Sequence, residues 1–208
     1  RRPPEAPSGR PPRRKPAPLG RPGGRGLAMD FALTPEQQQI RDTFARFVDA
    51  EVAPRAAAID DAHAYPRELV RKLADLGFFG MRYPEDAGGL GLDLSTFCLA
   101  LAEIARGSMS LAGCAAMQAL MGTKFLQLLG NADILGRLFR PALAAEKIGA
   151  ICMTEPNAGS DLDGIATTAL KVDGGYVLDG QKTWVTAAPV ADFFTVFARA
   201  GEAKNSWL

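Results

Sequence analysis

Cys152-Met153-Thr154-Glu155-Pro156-Asn157-Ala158-Gly159-Ser160-Asp161-Leu162-Asp163-Gly164 marks the point where this chain changes character. Upstream, apolar residues recur at helical spacing. Downstream, Val, Thr and Tyr rise and the period becomes two. The stretch has a short apolar approach, Ile148 to Met153, and then makes a tight polar turn. Pro156 fixes φ, Gly159 permits close backbone approach, and Ser160 and Asp161 concentrate polar groups. A turn of that kind at a strand end faces a ligand. A second stretch, Gln181-Lys182-Thr183-Trp184-Val185-Thr186, follows one hairpin later. The two form one candidate binding face.

Upstream of the turn, Thr34-Pro35-Glu36-Gln37 is a helix start, with Thr34 as N-cap, proline at the first helical position and Gln37 closing a capping box. Ile40, Phe44, Phe47, Val48 and Val52 supply its buried face, and Pro54 kinks or ends it. Tyr65-Pro66 opens a second helix with Leu69, Val70, Leu73 and Leu76 inward and Gly77 as its stop. The glycine-dense loop 83–92 reads equally as a surface turn or a ligand loop. Asp93 or Ser95 caps a third helix. Ser108 or Ser110 caps a fourth over 111–129, apolar nearly all round and so buried between neighbours. Asn131 starts a fifth.

Downstream, 166–172 and 176–184 alternate on either side of Asp173-Gly174-Gly175, a hairpin signal, and 193–198 forms another strand. The predicted class is α+β: an all-α helical bundle over 30–149, then the first part of an antiparallel β-barrel-like domain over 150–208. A β region with so few strands leaves ladder edges open. The chain is therefore expected to be cut within its second domain.

Residues 1–29 carry seven arginines and one lysine against one glutamate, a formal charge of +7. Since the whole chain is +1, the remainder is −6 and does not read as a general nucleic-acid binder. With eight prolines and five glycines, 1–29 cannot bury enough surface to offset its ordering entropy and is expected to be disordered. It reads as upstream of a start at Met29, or as a linker. Cys98, Cys114 and Cys152 have no metal spacing and read as reduced, mostly buried thiols, which points to a cytoplasmic setting. His63, the single histidine, reads as a surface residue, so no metal site is expected. No apolar run reaches the roughly 18 residues of a membrane span.

The turn from Cys152 to Gly164 resembles the signature of the acyl-CoA dehydrogenase family: Thr154-Glu155-Pro156, then Ala158-Gly159-Ser160-Asp161 and Gly164. Gly180-Gln181-Lys182-x-Trp184-x-Thr186 resembles the family's second flavin-contacting stretch. Pro84-Glu85-Asp86-x-Gly88-Gly89-Leu90-Gly91 and Phe31-x-Leu33-Thr34-x-Glu36-Gln37 resemble further family segments. Ile151 departs from the common aromatic, and Asn157 from the common glycine.

The resemblance implies an FAD-dependent enzyme of fatty acid metabolism that oxidises the α–β bond of acyl-CoA thioesters. It also implies reoxidation by an electron-transfer flavoprotein and a homo-tetramer. It places FAD on Ile151, Cys152, Met153, Thr154, Gly159, Ser160, Trp184, Val185 and Thr186, with Ser160 also near the acyl-CoA. Donors from Met153 and Thr154 would stabilise charge on the reduced ring as an oxyanion hole does. Glu155 reads as a turn residue, because the family's catalytic carboxylate lies in a C-terminal helical domain, beyond Leu208. Asp161 is expected to bond turn amides, and Lys182 to lie at the surface or behind the site. There is no G-x-G-x-x-G unit, so the dinucleotide is not held in Rossmann fashion. Two other functions compete: a flavin-dependent oxidase or monooxygenase of the same fold, and a non-catalytic truncated or DNA-associated relative using the basic tail.

Overall fold

The computed structural model describes residues 31–129 and 131–201. The basic tail 1–29 lies outside the described residues. Of these, residues 33–129 and 131–201 belong to one compact unit.

Helix α1 (Pro35–Phe47) starts as its sequence dictates. The Gln37 amide donates to the Thr34 hydroxyl at 3.1 Å, and the Thr34 amide donates to the Gln37 side chain at 3.1 Å. Beyond α1 the backbone widens into a π turn at Val48–Val52 and tightens into a 3-10 turn at Ala53–Arg55. Pro54 thus falls in the first turn of a new segment, where an amide is not needed. Helices α2 (Ala56–Asp61) and α3 (Arg67–Asp75) follow.

Helix α4 (Leu94–Gly107) is capped by Asp93, which accepts from the Thr96 amide at 2.7 Å. Helix α5 (Met109–Ala116) is capped by Ser108, which accepts from the Leu111 amide at 3.2 Å. The single helix expected over 111–129 is divided: a π turn at Met117–Gly122 separates α5 from α6 (Lys124–Leu129). Asn131 caps α7 (Ala132–Ile134) by accepting from the Asp133 and Ile134 amides. After a π turn, α8 (Arg140–Leu143) completes the helical region.

The core is aromatic at its centre. Phe78 stacks on Phe97 with centroids 5.0 Å apart and meets Phe44 edge-on at 5.8 Å. Val48, Val52, Leu69, Leu73, Ile104 and Leu111 are buried around them, each stabilising by about 1.5–3 kcal/mol relative to exposure. The glycine-dense loop folds back on the chain before it. Leu90, Gly91 and Leu92 amides donate to Gly80, Tyr83 and Met81 carbonyls at 3.0, 2.8 and 2.7 Å. Packing therefore accounts for that loop.

Strands β1 (Gly149–Cys152), β2 (Thr168–Val172), β3 (Gly175–Asp179) and β4 (Phe193–Val196) complete the α+β class. β2 and β3 form the expected antiparallel hairpin, with Val172 opposite Gly175. β1 instead pairs with β4 in parallel, Gly149 opposite Phe193 and Cys152 opposite Val196. The turn, hairpin and loop between them supply the long crossover that parallel pairing requires. Among the described residues no barrel closes. The second hairpin strand ends at Asp179, short of the expected Trp184. Gly180 has φ 151°, and a Cβ there would stand 2.4 Å from the Thr167 hydroxyl, so the chain turns away. Leu170, Val177 and Leu178 are exposed while Ala169 is buried, so little of the hairpin's alternation serves a buried face among the described residues.

His63 is exposed. The three cysteines are free, but only Cys152 is buried, whereas Cys98 is exposed and Cys114 half-buried. Neither helix around Cys98 and Cys114 is enclosed on all sides, which is why the expectation of mostly buried thiols fails. Among the described residues no helix is long and apolar enough to cross a membrane, and no group of three or more His, Cys, Asp or Glu could hold a metal.

Candidate functional site

The site is built where β1 leaves the helical bundle. A buried amide anchors that exit. Gln118, 1% exposed on the π turn after α5, donates to the Ala142 and Lys147 carbonyls, both at 2.9 Å. Its own carbonyl accepts from the Gly149 amide at 2.9 Å, the first residue of β1. The Asp192 carboxylate accepts from the Ile148 amide at 2.7 Å. β1 therefore starts from a satisfied polar joint, as a buried polar group requires.

At the other end of β1 the signature turn closes tightly. Glu155 and Ala158 exchange backbone hydrogen bonds at 2.8 and 3.2 Å around Pro156-Asn157. Asp161 accepts from the Asp163 amide at 3.2 Å, as expected of it. Gly159 and Ser160 are exposed just past the turn, and a Cβ on Gly159 would meet nothing within 4 Å. Among the described residues no neighbour demands glycine there, so the position has room beside its backbone.

Glu155 is not a free acid. Its side chain is 6% exposed and pairs at 2.8 Å with Lys182, itself 10% exposed. The same carboxylate accepts from the Ala166 and Thr167 amides at 2.7 and 2.9 Å. Burial alone would push its pKa up. The hydrogen bonds from Lys182, Thr167 and Ala166 outweigh that and hold it at about 2. A carboxylate so engaged is a poor proton acceptor. Lys182 was expected at the surface or behind the site; its side chain is largely buried and also donates to the Met153 carbonyl at 3.2 Å.

The two signature stretches are thereby joined. The Thr183 amide donates to the Thr154 carbonyl at 2.9 Å. The Met153 and Thr154 carbonyls are both tied back into the protein, while among the described residues neither amide finds a partner. Beyond this joint Trp184 is 91% exposed, at a φ of 57°, with Thr186 exposed and Val185 half-buried beside it. A large apolar ring held outward on left-handed backbone asks for something to cover it. Ile151 is half-buried on β1 opposite Thr195, and Cys152 is buried at the strand's end. Burial pushes the Cys152 thiol up, and the nearby Lys182 charge offsets this in part. No hydrogen bond joins Ser160 to the Trp184–Thr186 stretch among the described residues. A cavity of about 790 Å³ lies between α2, the start of α5 and the Ala187–Val190 loop, but none of the expected site residues lines it.

The acyl-CoA dehydrogenase N-terminal domain model matches residues 34–154, and the acyl-CoA dehydrogenase middle domain model matches residues 150–207. The chain belongs to the acyl-CoA dehydrogenase family. A benzylmalonyl-CoA dehydrogenase of Aromatoleum aromaticum is 74% identical over 177 residues, covering 85% of this chain and 47% of that protein. Butyryl-CoA dehydrogenase of Megasphaera elsdenii superposes with a TM-score of 0.77 at 31% identity, over 84% of this chain and 46% of the other. A glutaryl-CoA dehydrogenase of Mycobacterium smegmatis in complex with FADH2 superposes at 0.76 with 26% identity, over 80% and 43%. The chain thus spans about half the length of the curated relatives it matches.

Three residues that shape the site were not legible as site residues: Gln118, Glu155 in its paired role, and Lys182. The available signal was an acid and a lysine in the two signature stretches, 27 residues apart, each beside an expected flavin contact.

Proposed function

We propose that the protein to which this chain belongs is an FAD-dependent acyl-CoA dehydrogenase. The observation that carries the reading is the joint itself: Met153 and Thr154 have engaged carbonyls and amides with no partner among the described residues, next to an outward-facing Trp184. Such donors suit a ring that gains negative charge on reduction. Ile151, Cys152, Met153, Thr154, Gly159, Ser160, Trp184, Val185 and Thr186 would hold the flavin, and Ser160 would also meet the acyl-CoA. When bound, the flavin would supply the two-electron acceptor for oxidising the α–β bond of the thioester. The residues of this chain orient and cover it. We place the proton-abstracting base outside the described residues, because the Glu155 carboxylate is fully engaged.

The 74% identity to a benzylmalonyl-CoA dehydrogenase makes an aryl-bearing, carboxylated acyl-CoA the first substrate to test. Reoxidation by an electron-transfer flavoprotein and a homo-tetramer belong to the same proposal, supported by the family resemblance. The free cysteines support a reducing, cytoplasmic setting. A helical N-terminal domain followed by a β domain from about residue 150 is supported by the change of period there. The deciding experiment is anaerobic mixing of the whole purified protein with benzylmalonyl-CoA, and separately with butyryl-CoA, while flavin absorbance is followed. Bleaching by the first and weaker bleaching by the second is expected. Bound flavin that no acyl-CoA reduces would overturn the dehydrogenase reading.

A further inference from the structure

We propose that Lys182 is a positioning residue that aims the Thr154 amide at the flavin, acting through the Met153 carbonyl, with Glu155 holding Lys182 in place. The inference rests on the flavin reading above. A trans peptide is planar, and its C=O and N–H point in opposite directions; among the described residues no peptide bond is cis. The Met153 carbonyl and the Thr154 amide belong to one such plane. Lys182 Nζ donates to that carbonyl at 3.2 Å from the protein side. The Thr154 N–H is therefore turned toward the other side, where among the described residues no protein group meets it.

Lys182 needs its own restraint, because a lysine stem is long and flexible. Glu155 supplies it at 2.8 Å, and the Ala166 and Thr167 amides fix Glu155 in turn. This chain of contacts runs from the two residues just before β2, through the carboxylate and the ammonium, to the peptide that faces the ligand. Stability alone is a weak reason to bury such a pair, since apolar replacements are often as stable. Fixing the direction of one peptide plane is a task an apolar pair cannot perform.

The test uses the whole holoprotein and three variants: Lys182→Met, Lys182→Arg, and the double variant Glu155→Gln with Lys182→Met. The double variant leaves no unpaired buried charge, and its single amide oxygen can still accept from one of the Ala166 and Thr167 amides, which donate to separate oxygens of Glu155, so it is expected to perturb the fold less than Lys182→Met, which strands a buried carboxylate. The readouts are the flavin midpoint potential and the FAD dissociation constant, each set beside the melting temperature. Loss of one aimed donor should weaken binding of reduced relative to oxidised FAD about tenfold, a fall of about 30 mV in a two-electron potential. The arginine variant, which keeps a donor there, should recover at least half of that fall. A double variant that melts differently but keeps the wild-type potential and FAD affinity would overturn the positioning role while leaving the flavin reading intact. Wild-type protein that binds no flavin would overturn both.

Discussion

Replacing Gln118 by methionine tests the joint from which the candidate site is built. Methionine is unbranched and of similar size, so it leaves little cavity and isolates the polar contribution. Three hydrogen bonds disappear: those to the Ala142 and Lys147 carbonyls and the one accepted from the Gly149 amide. The Ala142 carbonyl keeps a partner, because the Ala145 amide donates to it at 3.2 Å. Among the described residues the Gly149 amide and the Lys147 carbonyl have no other partner. Each newly unsatisfied buried group costs about 1–3 kcal/mol, so the variant should lose roughly 2–6 kcal/mol. Against a total stability of about 5–15 kcal/mol that is a large share. Urea unfolding at neutral pH, followed by circular dichroism, measures it as a shift of midpoint at constant slope. A loss below about 1 kcal/mol would show that β1 does not depend on this amide, and the account of how the bundle positions the turn would fail.

Thr34→Ala removes the capping box of α1 and should destabilise by about 1 kcal/mol in the same assay, with no change in flavin content. Glu155 carries a pH prediction. Its folded pKa, about 2, lies below its ordinary value of 4.5. Its contribution is therefore fully present above about pH 4.5 and is lost as pH falls from there through about 2. Acid unfolding curves of Glu155→Gln should lack that component, and an unchanged acid limb would show that the pair is not formed in solution. Trp184→Ala should leave stability within about 0.5 kcal/mol, as expected for an exposed residue. It should weaken FAD binding measurably by fluorescence titration; unchanged affinity would remove Trp184 from the site.

Local chemistry was legible in this sequence, and distant pairing was not. Thr34 and Asn131 cap the helices expected of them, and of the alternatives Asp93 or Ser95 and Ser108 or Ser110 the caps are Asp93 and Ser108. A cap needs only a polar atom and an amide two or three residues on. The Asp173-Gly174-Gly175 hairpin and the signature turn were legible for the same reason. The π turns at Val48–Val52 and Met117–Gly122 were not, because one extra residue per turn leaves no mark in composition. The parallel pairing of β1 with β4 depends on where the intervening crossover returns the chain. At the candidate site, the family signature singled out two stretches that the Thr183–Thr154 hydrogen bond joins, but left the Glu155 and Lys182 side chains without roles. Their contact spans 27 residues and closes only after the hairpin is in place. Gln118 looked like an interruption of an apolar run, although a buried amide with donors and acceptors all used is what lets a strand leave a helical core.

The central claim is that the turn after β1 and the Trp184–Thr186 stretch together hold a flavin. Amide hydrogen exchange on the whole protein, with FAD bound and after its removal, tests this most directly. The account predicts slowed exchange at Met153, Thr154 and the segment 184–186 when FAD is bound, with the core of α4 unchanged. Stoichiometric FAD binding that left those amides exchanging at the same rate would contradict it.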